Sequence, residues 1–113
     1  MKLIVAIVQD EDAGRLVTTL MEKGFGVTKL ATTGGFLRAG NTTLISGVQD
    51  ERLQEALDII EHLCKSREQI TASTTPLTGG AGGAGGVYVP YPIRVTVGGA
   101  TVFVLEVSQF LKV

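Results

Sequence analysis

The run Lys2 to Val8, KLIVAIV, is almost wholly apolar and rich in β-branched residues. Such a run reads as a strand buried on both faces, and Val102–Leu105 has the same character. This constrains the fold more than any other feature. Two apolar sets recur at helical spacing: Ala13, Leu16, Val17, Leu20, Met21, and Leu53, Ala56, Leu57, Ile60 with either Leu63 or Cys64. Two helices cover only one face of a sheet. The second face needs an apolar cover, and with no spare element in the chain the expected cover is another copy. The expectation is a closed, cyclic homo-oligomer with sheets facing inward.

Taken in order, Asp10 is expected to cap the first helix, with Glu11 and Asp12 at its positive end, and Gly24 to end it. Gly26–Thr33 reads as a second strand and Asn41–Val48 as its partner, and a second helix starts after Asp50. Glu68–Thr75 has the pattern of another strand. The run Gly79–Gly86 holds no side chain larger than a methyl. It cannot bury enough surface to offset its backbone entropy and is expected to be a mobile loop, spanning 76–89. Tyr88–Pro92 restores stiffness, and Ile93–Val97 with Thr101–Val107 is expected to form a final hairpin around Gly98-Gly99. The order strand, helix, strand, strand, helix, strand, with an extra C-terminal strand, is that of an α+β, ferredoxin-like βαββαβ sandwich.

The 113 residues suffice for one domain. Their 10 basic and 11 acidic side chains argue against a non-specific binder of nucleic acid or of anionic membranes. The single cysteine, Cys64, excludes an internal disulfide and suits a reducing compartment. Leu3–Val8 is too short for a signal-peptide core, and no run approaches bilayer length. A cytoplasmic protein is expected.

The segment Thr28–Asn41, TKLATTGGFLRAGN, is longer than a tight connection needs and carries Phe36 and Arg38 in its loop. Consecutive N–H groups around Gly34-Gly35, with Thr32 and Thr33 beside them, can form an anion nest; a plain turn would look the same. Phe36 can stack on a base, or with Leu37 it can pin the loop onto a neighbouring subunit. Asn41 can make a two-point contact to adenine N6 and N7, or serve as a turn residue after Gly40. Lys29 and Arg38 can meet a phosphate or stay solvated. His62 and Cys64 point to different sides of one helix, and no metal cluster, catalytic triad or paired carboxylate can be assembled. No cofactor is expected.

Four blocks together, VTKLATTGGFL over 27–37, GNTT over 40–43, YVPYP over 88–92 and VGGATVFVL over 97–105, resemble the PII-like cyclic-di-AMP receptor proteins of Gram-positive bacteria. The resemblance covers essentially the whole chain, a single PII-like domain over 1–113 with a ligand loop at 33–41. It implies a homotrimer without enzymatic activity that binds cyclic di-AMP in three pockets between adjacent subunits and signals to a downstream protein. It places Thr28, Gly35, Phe36, Leu37, Asn41 and Gly47 around one adenine and its phosphate, with Gly98, Gly99 and Ala100 close by from the neighbouring subunit. Two departures stand out: the run Gly79–Gly86 is more extreme than the family norm, and position 26 differs. Members often carry a nucleotide-touching Arg at the position aligned with Gly26, and here Arg38 or Lys29 would have to substitute. A PII-type ATP-binding regulator would need a much longer loop between the second and third strands and a basic ATP-binding set, neither of which this sequence has. An acylphosphatase-like hydrolase would use a pair such as Arg38 and Asn41.

Overall fold

The computed structural model describes residues 1–30, 40–77 and 87–113. In chain order the elements are β1 (Lys2–Gln9), α1 (Asp10–Glu22), β2 (Thr28–Leu30), β3 (Asn41–Val48), a 3-10 turn (Asp50–Arg52), α2 (Leu53–Cys64), β4 (Arg67–Leu77), β5 (Val87–Val97) and β6 (Ala100–Glu106). They form two compact units, one of Met1–Ser66 with Gly98–Val113, the other of Arg67–Val97.

The larger unit is a four-stranded sheet in the order β2-β3-β1-β6, each neighbouring pair antiparallel. Its strand order and its two helices are those of a ferredoxin-like α+β fold. The fourth sheet position differs from expectation. Glu68–Thr75 was expected there, with Ile93–Val97 and Thr101–Val107 as a terminal hairpin. Instead β6 takes the edge beside β1, from Lys2↔Glu106 to Val8↔Ala100. Residues 67–97 pair with each other, from Arg67↔Val97 to Leu77↔Val87. The physical reason is burial. Arg67, Glu68, Gln69 and Thr71 offer no apolar face to the helices, whereas Val102 of β6 packs against the core. The strands also run further than foreseen, so Pro76, Leu77 and Val87–Val89 belong to β4 and β5 rather than to a 76–89 loop.

The core lies between the helices and one face of the sheet. Alternate residues Ile4, Ala6 and Val8 of β1, with Leu44 and Val48 of β3, meet Ala13, Leu16 and Leu20 of α1 and Ala56, Ile60 and Cys64 of α2. Met21 departs from its expected place and is exposed. At about 100° per residue it falls at the rim of the stripe that Leu16, Leu20 and Ala13 define. Asp10 is also not the cap: Gln9 takes the extended N-cap conformation and Asp10 is the first helical residue. Gly24, at φ +87, ends α1 as expected. Its N–H donates to Met21 O and that of Phe25 to Leu20 O, a Schellman closure. Arg52 then stacks 4.0 Å over the buried Phe25 ring and donates to Lys23 O at 2.7 Å, tying the end of α1 to the start of α2. Of the expected strand Gly26–Thr33, only Thr28–Leu30 is strand among the described residues.

The other sheet face carries Leu3, Val5 and Ile7 of β1. Register sets Val5 between Ile45 and Phe103, and Leu3 between Gly47 and Leu105. Phe103 is 54% exposed and Leu105 46%. Both helices pack on the opposite side, so among the described residues of this unit none covers this apolar face.

Candidate functional site

Strand alternation decides where the expected site residues point. Thr28 pairs with Ile45, and Asn41 and Gly47 stand an even number of steps from Ile45 along β3. All three therefore share the open, apolar face. Lys29 pairs with Leu44 and so projects to the helix side, away from Thr28. Along β3, Thr28 stands level with a point about 7 Å from Gly47 and about 14 Å from Asn41, and Asn41 and Gly47 are about 20 Å apart. These residues form a line rather than a cup, and a ligand meeting all of them must be long.

Asn41 sits at a junction of three chain segments. It pairs with Gln9, and Gly40 before it holds φ +99, a left-handed turn that suits glycine. The Asp10 N–H donates to Gly40 O at 2.8 Å, and the Asp10 carboxylate accepts from the Thr42 hydroxyl. Across β1 lies the Gly98-Gly99 turn, with φ +82 and +101. Gly98 N–H donates to Gln9 Oε1 at 2.7 Å, and Gly99 N–H donates to Cys64 O at 2.5 Å. Both donors of this turn are thus engaged within the chain. It can offer a ligand close backbone approach, not an anion nest. Ala100 pairs with Val8 and faces the helix side.

Gly26, the departure from the family pattern, accepts from the Ser46 hydroxyl through its carbonyl at 2.6 Å. A Cβ built on it meets nothing within 4 Å. Gly35, Phe36, Leu37 and Arg38, the Thr32–Gly34 nest and the run Gly79–Gly86 lie outside the described residues. Gln9 and the Asp10–Thr42 pair were not singled out from sequence. A lone Gln closing an apolar strand was their only signal.

The charged cluster of the sheet is at its far end, where Glu106 and then Asp50 hold the Lys2 amine above its ordinary value. A groove of about 570 Å³ between α1 and α2, lined among others by Thr19, Lys23, Asp58, Ile59, His62 and Leu63, contains none of the expected residues. Among the described residues no group of three or more His, Cys, Asp or Glu could hold a metal ion, and no helix is long and apolar enough to cross a membrane.

Comparison with known proteins adds two findings. A family model described as "Cyclic-di-AMP receptor" matches residues 1–113. A functionally unknown protein from Pediococcus pentosaceus ATCC 25745, known from its crystal structure, is 43% identical with a TM-score of 0.76, over 99% of this chain and 96% of that one.

Proposed function

The chain belongs to the cyclic-di-AMP receptor family, and from that premise we propose that it is a signalling receptor, not an enzyme, which binds cyclic di-AMP at the boundary between copies of itself. The whole-chain family match carries this reading. The geometry supports its placement, because Thr28, Asn41 and Gly47 share the apolar face that a second copy would cover. In this reading the assembly is a cytoplasmic homotrimer. One adenine stacks on Phe36 and is read by the Asn41 carboxamide, and one phosphate meets the backbone around Gly35 with Leu37 beside it. Arg38 is the cation nearest that segment in sequence, since Lys29 projects to the helix side. Gly98, Gly99 and Ala100 close the pocket from the neighbouring subunit. A ligand spanning two adenines and two phosphates suits the extended line of residues along β3. The signal passes to a partner protein through a change in the segment that includes Gly79–Gly86.

Calorimetric titration with cyclic di-AMP, cyclic di-GMP and ATP in parallel tests this. Cyclic di-AMP alone is expected to bind with high affinity. Asn41→Ala should cost about 1–3 kcal/mol, roughly ten- to hundredfold. Equal binding of the two cyclic dinucleotides would overturn the adenine assignment.

Gly26 offers a test in the other direction. Since a Cβ there is unopposed, Gly26→Arg should fold normally. A charge-assisted contact to the ligand is worth about 1.5–3 kcal/mol, so affinity should rise about tenfold or more, with a steeper salt dependence. An unchanged affinity would show that the ligand does not reach this position.

A further inference from the structure

We propose that Gln9 is the positioning residue that couples the Asn41 side of the ligand site to the base of the β4–β5 hairpin, a regulatory link resting on the reading of that site given above. Three observations meet at this residue. Its backbone is the ladder partner of Asn41. Its side-chain oxygen accepts the Gly98 N–H at 2.7 Å, across 89 positions of sequence. Gly98 is the first residue after β5.

The following residue completes the connection. Gly99 N–H donates to the carbonyl of Cys64, which ends α2 shortly before β4 begins at Arg67. Within the larger unit, the segments that flank residues 67–97 in sequence are therefore tied in one hydrogen-bonded knot. Gln9 joins that knot to the strand pair bearing Asn41. Asp10, next in the chain, fixes Gly40 through its own N–H, so two consecutive residues hold the returning ligand loop on one side and the glycine turn on the other.

Glycines at φ +82 and +101 lack the Cβ that would confine another residue's backbone. The position of such a turn is set by whatever holds its N–H groups. Here one is held by a side chain whose own backbone is paired to the residue expected to read the base. A ligand that immobilises Asn41 immobilises Gln9, and through it the start of the turn that leads out of β5. Truncating the acceptor breaks this route while leaving the β1–β3 ladder intact.

The test uses the assembled protein and two variants. Gln9→Met keeps the length of the side chain and removes the acceptor. Gln9→Glu keeps an acceptor. Affinity for cyclic di-AMP is measured by titration, and amide exchange is followed at 98–100 and along 87–97 with and without ligand. In the wild type the ligand should slow exchange in both segments. Gln9→Met should bind about tenfold more weakly and, at saturation, should lose the ligand-dependent protection of 87–97. Gln9→Glu should restore that protection. Full protection in Gln9→Met, no ligand effect on 87–97 in a wild type that binds, or failure of Gln9→Glu to restore protection would overturn the coupling and leave the receptor reading standing. A wild type that does not bind cyclic di-AMP refutes the receptor reading, and the coupling with it.

Discussion

Val5→Asp is expected to leave a protein that no longer self-associates. Val5 is central on the open face, with Ile45 on one side and Phe103 on the other. In a closed assembly the substitution recurs in every copy, and desolvating each uncompensated carboxylate costs several kcal/mol. Native mass spectrometry or light scattering at micromolar concentration should report a trimer for the wild type and a monomer for the variant. Titration should show cyclic di-AMP binding lost together with assembly, because the proposed pocket needs residues from two copies. Phe103→Ser provides the control for folding. Phe103 is already 54% exposed in the single chain, so its replacement should weaken assembly while barely changing the circular dichroism of the monomer. A trimer that survives Val5→Asp would show that the open face is not where copies meet.

Phe36→Ala is expected to have the next largest effect. A base laid on an aromatic ring gains roughly 1–3 kcal/mol, so affinity for cyclic di-AMP should fall about ten- to hundredfold. Phe36→Trp, which preserves a stacking plane, should recover most of the loss. The comparison separates the two roles that sequence left open for this residue. A ring that only pins the loop to a neighbouring subunit would lower the stability of the assembly without ligand. A ring that only stacks on the base would lower the ligand-induced rise in melting temperature and leave the free assembly unchanged.

The central sheet was legible because its burial is written in local pattern. Lys2–Val8 announces a two-sided strand, Asn41–Val48 coincides with β3, and Gly24 ends α1 where a left-handed residue was needed. The fourth strand was misread because chain order was followed instead of burial. Glu68–Thr75 comes next after α2 and has strand composition, yet its polar residues give the helices nothing to cover, while Val102 does. Asp10 looked like a helix cap because Asp ahead of an amphipathic stripe is a favoured N-cap residue. Its carboxylate instead receives the Thr42 hydroxyl, a partner 32 positions away. Sequence marked Thr28 and Asn41 as candidates by their chemistry, but not the sheet face they share. Which face a residue occupies follows from register, and Gln9 acquires its place only from a partner at Gly98 that no local window contains.

The bond between Gly99 and Cys64 bears on how this chain can vary. With β6 completing the sheet, the unit formed by Met1–Ser66 and Gly98–Val113 is topologically whole without residues 67–97. That stretch has the architecture of an insertion, tethered where its two ends lie side by side. Lengthening, shortening or recoding it leaves every strand pairing of the sheet in register. Sequence change within it can therefore accumulate without altering the framework of the larger unit.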